Sequence, residues 1–159
     1  MTPGSLESIL PQLAGGAPHT HALGFAFETL EDDRAVVIRA PYRPDLIGDL
    51  ESGVLASGLI TTLLDHAGGM AVWAAMDAFQ PIATLDLRVD YMRAAEPGLD
   101  VFARARCFKL TRSVAFVRAW AFEDRPDDPV AAAQAAYMLG SGKGREPGAN
   151  LAPRPEAAK

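Results

Sequence analysis

Between Val54 and Met76 the only ionisable residues are Asp65 and His66, and this apolar stretch limits the possible folds more than any other feature. About 20 apolar residues are enough to cross a bilayer. Asp65, however, stands near the midpoint, where inserting a carboxylate costs roughly 2.5–3.5 kcal/mol, and no basic cluster flanks either end. The stretch is therefore expected to be wrapped by protein rather than lipid. Leu59, Ile60, Leu63, Leu64, Ala67, Met70, Ala71 and Ala74 recur at helical spacing, which predicts a helix over residues 58–78. Ser57 is placed to be its N-cap. Gly68-Gly69 costs roughly 1 kcal/mol per glycine relative to alanine in an exposed helix, so another backbone is expected to approach closely there.

The rest of the chain reads as the wrapping. Residues 82–92 alternate, with Leu85, Leu87, Val89 and Tyr91 on one face and Thr84, Asp86, Arg88 and Asp90 on the other. Residues 101–110, 113–123 and 130–139 alternate too, and their alanine-rich faces suit a sheet that curls tightly onto one helix. Residues 22–31 and 35–40 read as a hairpin around Glu31-Asp32-Asp33. Residues 41–49, with two prolines and no period, read as an ordered loop. Leu6, Ile9, Leu10 and Leu13, closed by Gly15-Gly16, suggest a small leading helix serving as a lid or flap. Short strands joined by tight connections pair antiparallel, so the expected fold is α+β, a curved antiparallel sheet around one long central helix. The expected organisation is an N-terminal extension over 1–20, a single domain over 21–140 and a disordered tail over 141–159.

Composition narrows the function. A chain of 159 residues, 49% hydrophobic, matches one globular domain. A net charge of −5 gives no general attraction to nucleic acid or anionic lipid. The single cysteine, Cys107, rules out an internal disulfide and a cysteine-based zinc cluster. The N-terminus lacks a basic start followed by an apolar run, so no secretory signal is expected and a cytoplasmic location is. His19 and His21 have no carboxylate or cysteine at metal spacing, and no phosphate loop or dinucleotide fingerprint is present. Neither a metal nor a separate cofactor is expected.

Asp65 is the leading candidate for chemistry. At about 100° per residue it lies almost opposite the stripe of Leu59, Leu63, Ala67 and Met70, on a side shared with Thr61, Gly68, Gly69 and Val72. A carboxylate set among apolar residues needs a partner or a task. At the helix entrance the N–H groups of Ser57 and Gly58, aided by the positive end of the helix dipole, are able to polarise a carbonyl oxygen. His66 diverges from Asp65 by about 100° and forms no dyad with it. Arg112, in the turn between two strands, is the best candidate for a phosphate contact.

Taken together, residues 53–65, from Gly53 through Ala56-Ser57-Gly58 to Asp65, resemble the helix entrance of the phenylacetic-acid-degradation-type hot-dog thioesterases, relatives of 4-hydroxybenzoyl-CoA thioesterase. Residues 83–93 resemble the next strand of that family and residues 112–116 its following turn, the likeness running from about Gly24 to Leu139. It implies the hot-dog fold, a homodimer often paired again into a tetramer, and acyl-CoA sites at the subunit interface. It also implies roles: Asp65 as general base or nucleophile, the Ser57 N–H of the other subunit on the thioester oxygen, and Thr84 placing the attacking water. Gly58, Asp49, Ala56 and Arg112 would line the substrate. Two positions depart from the family. Ala56 stands where a histidine is usual, and Asp49 near the place of an asparagine, where a second carboxylate close to Asp65 would raise one pKa. The alternatives are an acyl-CoA-binding or sensing protein that has lost turnover, and a hot-dog hydratase or dehydratase, which needs a histidine paired with an acid.

Overall fold

The computed structural model describes residues 3–76 and 80–140, and of residues 3–7 the backbone alone. The expected tail over 141–159 and the last turns of the helix predicted to residue 78 include positions outside the described residues.

Two helices lead the chain, α1 (Pro3–Ala14) and α2 (Pro18–Leu23), followed by strands β1 (Ala26–Leu30) and β2 (Val36–Ala40). The leading helix does not stand off as a flap. Leu10 and Ala14 are fully buried and belong to the core. The hairpin is shorter than expected, because Ala22 and Leu23 finish α2. Pro18 opens that helix and Gly24, at φ 74°, closes it in the left-handed conformation that favours glycine.

Residues 41–49 form an ordered connection that includes a single 3-10 turn, Pro44–Leu46, and a short strand β3 (Ile47–Asp49), paired with β4 (Val54–Leu55). Gly48 is needed here, since a Cβ would stand 2.7 Å from the Ala56 Cα. Next comes α3 (Ser57–Ala75), then β5 (Ile82–Tyr91), β6 (Val101–Leu110), β7 (Val114–Phe122) and β8 (Ala131–Leu139). The four long strands match the alternating segments to within a residue or two.

Six strands form one antiparallel sheet in the order β1-β2-β6-β7-β8-β5. It wraps α3, which touches β2, β5, β6, β7 and β8. The result is the α+β hot-dog arrangement, so the expected fold class is borne out. Ala103, Ala105, Ala115, Ala119, Ala121, Ala131, Ala133 and Ala135 are all buried on the concave face. Methyl groups let the helix lie close, while Leu59, Ile60, Leu63, Leu64 and Met70 supply the bulk from the other side. Each such leucine or isoleucine contributes roughly 1.5–3 kcal/mol by leaving water. Among the described residues no helix is long and apolar enough to cross a membrane.

β5 departs from simple alternation. Thr84 pairs with Tyr137 and Asp86 with Ala136, so Leu85 is the extra residue of a bulge. The inward positions change parity there. Ile82 and Thr84 face the helix before the bulge, and Leu87, Val89 and Tyr91 face it afterwards. Thr84 therefore shares a face with Leu87, contrary to the expected two-residue period, and Leu85 is left 56% exposed.

Candidate active site

The bulge turns Thr84 onto Asp65. Its hydroxyl donates to Asp65 Oδ1 at 2.9 Å. The cross-strand neighbour Tyr137, buried at the end of the alanine face of β8, points its hydroxyl at the same residue, 2.8 Å from the Asp65 carbonyl oxygen and 3.2 Å from Oδ1. Asp65 is thus half-buried and held by two strands, rather than lying on an open helix side. Its expected neighbours Gly68 and Val72 are buried as well.

Gly68 makes room for this. A Cβ there would collide with Tyr137 Oη, and at Gly69 it would meet Ile82 Cδ1 at 3.4 Å. The glycine pair admits side chains from the sheet, not a second backbone. Burial, then the neighbouring Asp65 charge, pushes the Tyr137 phenol far above its ordinary range, so it stays protonated and donates. Tyr137 was not anticipated. The signals for it were the only aromatic side chain on an alanine face and the double glycine opposite.

A cleft of about 210 Å³ opens beside Asp65, walled by Gly69, Met70, Trp73, Ile82 and Thr84. His66 borders it but is engaged elsewhere. Its Nε2–H donates to the Ala14 carbonyl at 2.8 Å, and its ring lies 5.9 Å from that of Phe25. Burial holds its pKa below the usual histidine value, against the opposing pull of the Ala14 hydrogen bond. The imidazole is neutral and ties α3 to the end of α1.

The helix entrance forms a second, separate locus. Ala56, not Ser57, is the N-cap residue, and its side chain caps nothing. Its N–H is taken by the Leu46 carbonyl at 3.0 Å, so β3 and its preceding turn fix the start of α3 without a capping hydroxyl. Ser57 is the first helical residue and is exposed, as is Gly58, where a Cβ would meet nothing within 4 Å. The Leu59 N–H turns back to the Ala56 carbonyl at 3.0 Å, which leaves the N–H groups of Ser57 and Gly58 without an intrahelical partner. Next to this entrance lies a hollow of about 370 Å³ lined by Leu23, Leu46, Ile47, Ala56, Gly58 and Leu59, with His19 and Asp45 beside them. The Ser57 carbonyl accepts from the Tyr91 hydroxyl at 2.6 Å, which anchors this end to β5.

Asp49 ends β3, and from the turn that follows the Ser52 hydroxyl and, at 3.2 Å, the Glu51 N–H donate to its carboxylate. The Ser52 bond is the main cause holding its carboxyl below the usual range. Within the chain the structure does not bring Asp49 to Asp65. Arg112 is exposed in the β6–β7 turn and makes no hydrogen bond or ion pair with the described residues. No group of three or more His, Cys, Asp or Glu able to hold a metal ion occurs among the described residues.

Ser57 and Asp65 are eight positions apart on one helix, about 12 Å of rise. One carbonyl group cannot touch both within a single chain. The arrangement supplies a fixed carboxylate at one place and exposed N–H donors at another, and a site using both needs two copies.

The sequence and the fold both have known relatives. The family model described as the thioesterase superfamily matches residues 52–128. A solved structure of a protein from Pseudomonas aeruginosa is 37% identical with a TM-score of 0.76, covering 84% of this chain and 98% of that one. A thioesterase family protein from Silicibacter pomeroyi is 25% identical with a TM-score of 0.71, over 84% of this chain and 97% of its own. A point mutant of the phenylacetic acid degradation protein PaaI from Thermus thermophilus is 27% identical with a TM-score of 0.65, over 77% and 98%. None of the curated proteins matches.

Proposed function

The chain belongs to the thioesterase superfamily, and from that premise we propose that it hydrolyses an acyl-CoA thioester to a carboxylic acid and free CoA, as an enzyme of the phenylacetic-acid-degradation type. The observation that carries this reading is the Asp65 carboxylate, held by the Thr84 hydroxyl at 2.9 Å beside an apolar cleft. No separate cofactor takes part, because CoA arrives with the substrate.

As a general base, Asp65 draws a proton from water while the water oxygen bonds to the thioester carbonyl carbon. The Thr84 hydroxyl, donating to Oδ1, keeps its lone pairs for that water. The carbonyl electrons move onto oxygen, where the Ser57 and Gly58 N–H groups of the second subunit receive the charge; one such donor is worth about 10²–10³ in kcat. When the carbonyl re-forms, the C–S bond breaks and the thiolate leaves with the proton that Asp65 returns. As a nucleophile, Asp65 would instead bond to the carbonyl carbon and expel the thiolate, leaving a mixed anhydride that water opens. Asp49 and Ala56 border the thioester and Arg112 reaches a CoA phosphate.

A homodimer, or a dimer of dimers, with sites between subunits is supported by the 12 Å separation and by β5. That strand is a ten-residue sheet edge with Leu85 and Tyr91 exposed along it and Met92 exposed just after it, the kind of edge that pairs with a second chain. One alternative has an observation of its own. Ala56 brings no polar group to the helix entrance, which favours an acyl-CoA-binding or sensing protein. The hydratase reading has no such support, since His66 is committed to Ala14.

The test is release of free thiol from short, medium and aromatic acyl-CoAs by the wild type and by Asp65→Asn. Hydrolysis by the wild type, reduced at least about 100-fold in the variant, supports the reading. Tight binding of several acyl-CoAs with no thiol released would replace it with the sensing role.

A further inference from the structure

Asp65 receives its side-chain hydrogen bonds in an unequal way. Thr84 Oγ1 donates to Oδ1 at 2.9 Å, and Tyr137 Oη lies 3.2 Å from the same atom. Among the described residues no donor reaches Oδ2. The two hydroxyls belong to directly paired residues, Thr84 on β5 and Tyr137 on β8, at the last matched pair before the β5 bulge. The bulge and the glycine opposite together aim both at one oxygen.

We propose that Tyr137 is a positioning residue for Asp65: with Thr84 it pins Oδ1, so that Oδ2 is the oxygen presented to the substrate. This rests on the thioesterase reading for its chemistry but not for its geometry. Tyr137 has one hydroxyl proton and two acceptors, the Asp65 carbonyl oxygen at 2.8 Å and Oδ1 at 3.2 Å. Sharing that proton couples the carboxylate to its own backbone, and rotating the carboxylate would break the bond to Thr84 as well. In either chemical course Oδ2 then acts, taking the water proton or bonding to the acyl carbon. A phenylalanine would fill the same buried space, so packing alone does not explain the hydroxyl. The titratable groups around Asp65 are Tyr137 from β8 and His66 from its own helix; β5 supplies only the uncharged Thr84 to the carboxylate.

Tyr137→Phe removes the hydroxyl and keeps the ring. The expected result is a kcat lower by about tenfold or more, the worth of a hydrogen bond to a charged group, with KM within about twofold of the wild type. A second readout needs no substrate. The infrared difference between wild type and Asp65→Asn isolates the carboxylate bands of Asp65, and the spacing of its two C–O stretches is expected to change in the Tyr137→Phe background. Gly68→Ala, which keeps the phenol but puts a methyl in its way, is expected to change the same bands and decides the matter should Tyr137→Phe fail to fold. Unaltered bands and unaltered kcat, even with a lowered melting temperature, would overturn the proposal. A wild type that hydrolyses no acyl-CoA would overturn the thioesterase reading instead, leaving the infrared result to judge Tyr137.

Discussion

The Tyr137 hydroxyl occupies the space that a side chain on Gly68 would need. Its neighbour Gly69 has a different surrounding, with Ile82 Cδ1 at ordinary van der Waals distance, 3.4 Å, from where a Cβ would be. Two adjacent glycines in one helix are therefore expected to respond oppositely to alanine. Gly68→Ala overpacks a buried site and should lose about 1–3 kcal/mol. Gly69→Ala should gain up to about 1 kcal/mol from helix propensity. Urea denaturation of the two variants checks this, and equal responses would contradict the assigned packing.

The loop after β5 is held by a buried ion pair. Arg93 Nη2 lies 2.5 Å from Glu123 Oε2, and Glu123 also accepts from the Glu96 N–H at 2.9 Å. Burial works against the Glu123 charge, but the Arg93 and Glu96 hydrogen bonds outweigh it and keep its pKa below the usual value of 4.5. Removing one partner of such a pair costs about 3–5 kcal/mol, so Glu123→Ala should be among the most destabilising single changes. A depressed carboxyl stabilises the fold above its unfolded pKa, and that contribution is lost as pH falls through the lower folded value. The stability gap between wild type and Glu123→Gln should thus be full at neutral pH and shrink below about 4.5; denaturation at pH 7, 5 and 3.5 measures it.

His66 gives a second pH signature. Its folded pKa lies below the unfolded value of 6.5, so the unfolded chain binds more protons through that interval. Stability should fall as pH drops from 6.5 toward the folded pKa and level off beneath it. His66→Gln, which keeps a donor for the Ala14 carbonyl but does not titrate, should flatten that part of the profile. A slope unchanged by the substitution would contradict the neutral, half-buried imidazole.

The sequence carried the architecture because periodicity is a backbone property that survives in any context. The apolar helix, the four long strands and the alanine faces all came from spacing. What it did not carry lies where two elements meet. Strict alternation puts Thr84 on the wrong face because Leu85 forms a bulge, and an extra residue in one strand is defined only by its partner, here Ala136. Ser57 looked like an N-cap because its hydroxyl suits that task; the Leu46 carbonyl took the Ala56 N–H instead and moved the boundary by one residue. Asp65 was legible as an anomaly in an apolar helix, whereas Tyr137, 72 positions away, was joined to it only by the sheet.

In the proposed mechanism one site uses Asp65 from one chain and the helix entrance from another. Ser57 is the first residue of α3, a position that tolerates proline, and Ala56 at φ −58° and ψ 132° already has the backbone that a following proline requires. Ser57→Pro should therefore remove the N–H while the helix remains. The decisive measurement is thiol release by Asp65→Asn and Ser57→Pro chains, first apart and then refolded together. Each parent should be nearly inactive, and the mixture should regain turnover, because a mixed dimer rebuilds one site with both groups intact. A mixture no more active than its parents would contradict the shared site.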